Sequence, residues 1–387
     1  MNTPCKFSIV TPSFNQAAYI GETIESVLSQ AGRFEIEYFV MDGGSTDGSV
    51  EIIKKYADQL AAGAWPVQCI GITMEWISQR DKGQSDAINQ GLRRATGTIA
   101  SYINSDDLYF PGAFARVAQE FAEHGEADFI YGDGDVTDEN GQVQWEWLSR
   151  SYDHRVMTSY HFLWNDFTNY IMQQSTFWRT RVHGQIGYFD ESLHFAMDVE
   201  YWIRAGQKKL NLRHVPHKLG KFRLIQGTKS LSSSTAFWGD QLEIFRRYRR
   251  RRGMSIYFAY YYYTLAKQFD YDINRMPRKE PIVFSRWERL PLLEWQFMER
   301  EADKGFALAC MLVANDLYRQ QRTNLAIQTF RRGQTERKCS ALHPFALLFY
   351  LQCAIGPHLS MRLFEWRQRL IRKYRWERYQ YRYHQKK

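Results

Sequence analysis

Several groups of residues in this chain have the types and spacings that chemistry needs. Asn104-Ser105-Asp106-Asp107 puts two adjacent carboxylates at the end of an apolar run. Such neighbours repel one another unless a cation sits between them and a ligand. A hard divalent ion held by one or two carboxylates plus phosphate oxygens suits Mg2+ or Mn2+. The plainer alternative is an acidic turn capping a helix that starts near Pro111. Thr11-Pro12-Ser13-Phe14-Asn15 and Asp42-Gly43-Gly44-Ser45-Thr46-Asp47-Gly48 form a second group. Glycines beside a carboxylate let a flat or phosphorylated ligand approach the backbone. Asp42 can then accept from a base N–H or a ribose hydroxyl. Two tight turns, with Asp47 capping a helix, are the alternative. Met197-Asp198-Val199-Glu200-Tyr201-Trp202 is the third group. Its two carboxylates are two apart, so on a helix they face different ways. Either one serves chemistry, or both favour a helix N-terminus.

The elements that must position these groups alternate between strand and helix from Lys6 to about Asp107. FSIVTPS, IEYFVMDGG and GTIASYINSDD read as buried strands. Ala17 to Gln30, SVEIIKKYADQL and SDAINQGLRRA read as helices, with a short apolar segment near VQCIGI. Units this short predict a mainly parallel sheet with helices on both faces, and ligands at the carboxyl ends of its strands. From about Leu108 to Ser234 the pattern is mixed, with short strands at ADFIYGDGDV and QVQWEWL. From Thr235 onward helical periods dominate. There is no GxGxxG, which weighs against a dinucleotide oxidoreductase.

Taken together and in order, IVTPSFN, DGGSTDGS, SQRDKGQSDAINQGLRRATG, NSDD, QQSTFWR, FDESLHFAMDVEYWIR and FRLIQGTKS resemble the family 2 glycosyltransferases over roughly residues 6 to 230. That resemblance implies an α/β GT-A (Rossmann-like) domain over 1–234, and the helical periods beyond it make 235–387 a mostly helical C-terminal region. It implies an inverting, metal-dependent enzyme that moves a hexosyl or N-acetylhexosaminyl group from a nucleotide-sugar, such as a UDP-sugar, to a glycan or a polyprenyl-diphosphate-linked acceptor, in bacterial surface polysaccharide synthesis. A non-catalytic nucleotide-sugar-binding or scaffolding module of the same fold is the alternative. In the resemblance Thr11, Pro12, Phe14, Asp42, Arg80, Asp81, Asp86 and Asp106 bind the donor, with Asn89 on the same helix face as Asp86. Asp107 holds Mn2+ or Mg2+ and Asp198 is the general base. Gln174, Glu200, Trp202, Arg223 and Lys229 lie toward the acceptor or the diphosphate, and Trp164, Trp178 and Trp202 offer a platform for a sugar ring. Ile225 stands where related sequences often carry a histidine, so a third metal contact is not supplied there.

Composition bounds the rest. With 44% hydrophobic and 24% charged residues, the chain is neither disordered nor low in complexity, and no apolar run is long enough to span a bilayer. Five scattered cysteines without CxxC spacing argue against zinc or a disulfide framework, and with the N-terminal sequence they suggest a reducing, cytoplasmic setting. The net charge of +9 lies mostly in residues 361–387, which carry ten Lys/Arg and two Glu. A near-neutral body speaks against nucleic acid. The basic tail, with Leu363, Trp366, Leu370 and Tyr374 in an apolar stripe, reads as a helix on an anionic membrane surface, which would make the protein peripheral on the inner face of the cell membrane. A helix docked on protein is the alternative. Residues 341–355 read as a packed helix able to dip into the interface. Arg246, Arg247 and Arg249–Arg252 form a basic run open to anionic headgroups or to water.

Overall fold

The computed structural model describes residues 4–158, 171–225, 235–248, 254–278, 284, 287–337 and 344–366. They belong to two compact units, 1–233 and 234–387.

The first unit is built on one mixed sheet of nine strands. These are β1 (Cys5–Ser13), β2 (Phe34–Asp42), β3 (Gly71–Ser78), β4 (Ile99–Tyr102), β5 (Leu108–Tyr109), β6 (Phe129–Thr137), β7 (Val143–Trp147), β8 (Thr176–Arg179) and β9 (Leu212–Arg223). The order is β3-β2-β1-β4-β8-β6-β9-β5, with β7 paired to β6. Strands β3, β2, β1 and β4 are parallel. β8 enters antiparallel between β4 and β6, so β6 runs with β4 and also lies parallel to β9. The Rossmann-like half expected from the sequence is therefore joined to a mixed half.

Helices α1 (Ile20–Leu28), α2 (Ser49–Ala61) and α4 (Ala113–Glu123) cover one face. Their Ile24, Ile53 and Phe114 share a core with Phe7, Ile9, Phe34, Ile36 and Phe177, alternate positions of the strands. Phe7 stacks on Phe114 at 4.8 Å. α3 (Gln84–Arg94) covers the opposite face. After the short helices α5 (His154–Met157) and α6 (His183–Ile186), α7 (Met197–Gln207) joins it there. That second core is aromatic: Tyr102, Phe129, Trp178, Phe189, Tyr201 and Trp202 meet edge to face or stacked. Several strands differ from the sequence reading. β3 begins at the end of VQCIGI and runs on through TMEWIS. β5, β8 and the twelve-residue β9 lie where no strand is expected.

The second unit contains α8 (Thr235–Tyr248), α9 (Met254–Gln268), α10 (Leu292–Arg319), α11 (Thr323–Arg337) and α12 (Pro344–Ile355), and residues 357–366 are also helical. In α9, Tyr257, Phe258, Tyr261 and Tyr262 are buried, so the aromatic run is core. Arg246 and Arg247 are not free for headgroups. Both bind the buried Glu243, and Arg246 also binds Glu294. Burial opposes the Glu243 charge, but the two arginines and the Trp287 indole outweigh it and hold the carboxyl at about 2. Arg249–Arg252 and residues 367–387 lie outside the described residues. Among the described residues no helix is long and apolar enough to cross a membrane.

Candidate functional site

The carboxyl ends of β1 and β2 are laced together before any ligand arrives. Asn15, Gln16 and Ala17 each donate a backbone N–H across to Ser45 Oγ (2.8 Å), Ser49 Oγ (2.9 Å) and Asp47 Oδ2 (2.8 Å). Asn15 Oδ1 accepts Thr46 N–H in return, at 2.9 Å. Asp42 builds the second turn itself. Its Oδ2 takes Gly44 N–H, Ser45 N–H and Ser78 Oγ, and its Oδ1 takes Ser45 Oγ, so only Oδ1 retains spare capacity. Thr11 and Pro12 are buried, and the Thr11 hydroxyl accepts from Tyr38 at 2.9 Å. Their side chains do not face a ligand as the sequence suggests. Phe14 is open, at 61% exposure.

Gly43 lets Asp81 and Phe14 close in on the second turn: a Cβ there would stand 2.9 Å from Asp81 Oδ2 and 3.3 Å from the Phe14 ring. Asp81 accepts Gly83 N–H at 2.7 Å, and Asp86 accepts Lys82 N–H at 3.0 Å. These bonds fix the loop that carries exposed Arg80 into α3. Asn89 does not share this surface. It is buried and bonded through both amide atoms to the Phe189 main chain.

The two acidic neighbours separate sharply. Asp107 is fully buried. Gln174 Nε2 (2.8 Å), Asn104 Nδ2 (3.1 Å) and Arg223 N–H (2.9 Å) all donate to it. Asp106 is half-buried, and among the described residues no other side chain donates to it. Burial raises both carboxyls. Asp107 is pushed further up by the Asp106 charge despite its three donors, and nearby Arg223 eases Asp106 only in part. A metal needs a lone pair it can reach. The sequence reading that favoured Asp107 as ligand is thus reversed by geometry: Asp107 is an anchor, and Asp106 is the open carboxylate.

Asp198 lies in the first turn of α7, its Oδ1 accepting Val199 N–H at 2.7 Å. It belongs to the same end of the sheet. The charges of both Asp198 and Asp107 bear on Tyr102, the last residue of β4, whose hydroxyl is raised first by burial and then by them. The start of α3 spans the two acids. Gln84 Nε2 reaches Asn104 Oδ1 at 2.6 Å, and Ser85 Oγ lies 2.6 Å from Met197 Sδ. Gln84, Ser85 and Tyr102 are contributors that sequence reasoning missed, and Asn104 was named there only as part of the acidic turn. A polar pair opening a helix has no signature of its own.

Other expectations are corrected. Gln174 is buried against Asp107 and faces no acceptor. Gly220 makes this possible, because a side chain there would collide with the Gln174 main chain. Glu200 is 1% exposed and bonded twice to Arg204, which also holds the Ile186 and Tyr188 carbonyls. Trp178 and Trp202 are sealed in the aromatic core and offer no sugar platform. Arg223 is 4% exposed. Its side chain pairs with Glu22 and lies over the Tyr19 ring, so only its field reaches Asp106. Lys229 and Trp164 lie outside the described residues.

Among the described residues no cluster of three or more His, Cys, Asp or Glu could hold a metal by itself. One open, under-compensated carboxylate fits a hard cation that takes its remaining ligands from phosphate oxygens and water.

Residues 8–185 match the family model "Glycosyl transferase family 2". The PGL/p-HBAD biosynthesis glycosyltransferase of Mycobacterium bovis (strain BCG / Pasteur 1173P2) is 29% identical over 209 residues, covering 51% of this chain and 69% of that protein. The minor teichoic acid biosynthesis protein GgaB of Bacillus subtilis (strain 168) is 32% identical over 119 residues, covering 30% of this chain and 12% of that one. A crystal structure of S. aureus TarS 1-349 in complex with UDP-GlcNAc aligns at TM-score 0.49 and 18% identity, over 86% of this chain and 91% of that chain. The family match lies wholly within the unit that carries the laced turns and the acidic strand end, so residues 8–185 form a family 2 glycosyltransferase domain.

Proposed function

We propose that the protein transfers a sugar with inversion from a nucleotide-sugar to a hydroxyl of a glycan or lipid-linked acceptor. The observation that carries this reading is that Asp107, next in sequence to the open Asp106, and Asp198 both act on Tyr102 at the end of β4, with the start of α3 bonded to Asn104 on one side and touching Met197 on the other. The base of the donor lies against Phe14 and Gly43, beside Asp81, and its ribose is within reach of Asp42 Oδ1. Asp106 would hold Mn2+ or Mg2+, which would supply charge neutralisation to the departing nucleoside diphosphate. Asp198 takes the proton from the acceptor hydroxyl as its oxygen bonds to the sugar carbon and the bond from that carbon to the diphosphate oxygen breaks, the electron pair leaving with the diphosphate. Asp107 works through Asp106 by fixing the turn.

Relatives named for teichoic acid and PGL/p-HBAD biosynthesis support an acceptor that belongs to a surface polymer or glycolipid. The basic segment 361–387 supports work at an anionic membrane face. The test is release of nucleoside diphosphate from UDP-sugars and GDP-sugars with Mn2+ and candidate acceptors. Asp198→Asn and Asp106→Asn should each lower it by about a hundredfold or more while the fold persists. Wild-type release by both variants would refute the mechanism.

A further inference from the structure

We infer that α12 and the helical residues 357–366 form a lipid-docking ridge that seats the C-terminal unit on an anionic bilayer. This deepens the membrane-side reading above and rests on it. Each segment has an inner and an outer side. Phe349 stacks on Phe330 at 4.3 Å and meets Tyr318 edge-on, and Ala346, Gln352 and Ser360 are buried with it. The Arg319 guanidinium lies over the Phe364 ring at 4.1 Å. These contacts fix the inner side to α10 and α11. The outer side carries Leu347, Leu348, Leu351, Leu359, Leu363 and Trp366, each between 40% and 60% exposed. A helix on a water-facing surface normally spends that side on charge. The α12 sequence PFALLFYLQCAI contains no charged residue at all.

What covers this side follows from the chain that comes next. Residues 367–387 hold nine Lys/Arg and one Glu, with tyrosines and a tryptophan between them. Leucines beside such a segment match an interface of acyl chains under anionic headgroups. A second copy of the chain is a poorer occupant, because a two-fold contact would bring two strongly basic segments to one place. The two halves of the attraction respond differently to salt. Headgroup attraction is screened, and leucine burial is not.

The experiment uses the full chain and vesicles of phosphatidylcholine with and without phosphatidylglycerol. Wild-type protein should float with the mixed vesicles and leave a salt-resistant bound fraction. Leu351→Asp with Leu359→Asp should weaken partitioning by roughly a hundredfold, about tenfold for each leucine. Leu351→Lys with Leu359→Lys should keep binding at low salt and lose the salt-resistant fraction. Both positions face outward, so melting curves of the two variants should match the wild type, and either variant serves if the other fails to fold. Salt-resistant flotation of either variant at the wild-type level overturns the ridge. So does a wild-type chain that ignores vesicles and forms a dimer dissolved by the same substitutions. A thermal shift with UDP and Mn2+ reads the donor site separately and should be unchanged in both variants. Its absence in wild type would count against the donor reading alone.

Discussion

The two ends of the N-terminal sheet bury carboxylates under opposite conditions. At the amino end, Glu37 on β2 receives Lys6, Ser8, Thr96 and the Gly97 N–H. Burial works against its charge, but these donors win and hold the carboxyl at about 2. At the carboxyl end, Asp106 and Asp107 are raised, because burial and mutual repulsion exceed what Asn104, Gln174 and Arg223 supply. The same sheet thus shows a finished ion site and an unfinished one. The finished site holds structure. The unfinished one has a place for positive charge that the chain itself does not fill, as expected where a ligand and its cation complete the electrostatics.

Substitutions can break this contrast. The largest effect is expected at the catalytic end: Asp198→Asn should lower transfer by ~10³-fold with melting unchanged, measured as nucleoside diphosphate release. Asp106→Asn should cost ~10²-fold or more in rate and remove the stabilisation that Mn2+ with UDP gives the wild type in a thermal-shift assay. If the Mn2+ response survives in Asp106→Asn and vanishes in Asp107→Asn, the assignment of anchor and ligand must be exchanged. Glu37→Gln should leave turnover of the folded enzyme unaltered and destabilise it by about 2 kcal/mol in urea melts, since buried donors lose their charged acceptor. The smallest effect separates the ends by pH. The lowered Glu37 carboxyl contributes stability above its unfolded value, 4.5, and loses it as pH falls toward about 2. Glu37→Gln should flatten that acid limb. The raised aspartates have the opposite sign and ease folding as they protonate, so Asp106→Asn should not flatten it.

Much of this was legible in the chain. β1, β2 and the helices α1 to α3 follow from apolar periodicity and glycine stops, and the motif order identified the family. What stayed hidden depends on tertiary register. β9 reads LRHVPHKLGKFR, where Pro216, Gly220 and scattered basic residues mask a strand. Yet it pairs with both β6 and β5 and delivers Arg223 to Asp107. The spacing of Asp106 and Asp107 gave no way to tell them apart, because the difference lies in which one Gln174 and β9 reach. Glu200 and Trp202 resembled site residues because they flank Asp198, but a helix turns them into the core. Asp42 was read as a contact for a base or ribose, but most of its lone pairs serve its own turn.

The clasp on Asp107 has a consequence for anyone surveying this enzyme by substitution. Arg223 holds that carboxylate with its main-chain N–H, and every residue except proline brings the same group. A scan of side chains at 223 would therefore pass over the clasp almost unseen, recording only the loss of the guanidinium from Glu22. Proline alone would expose it.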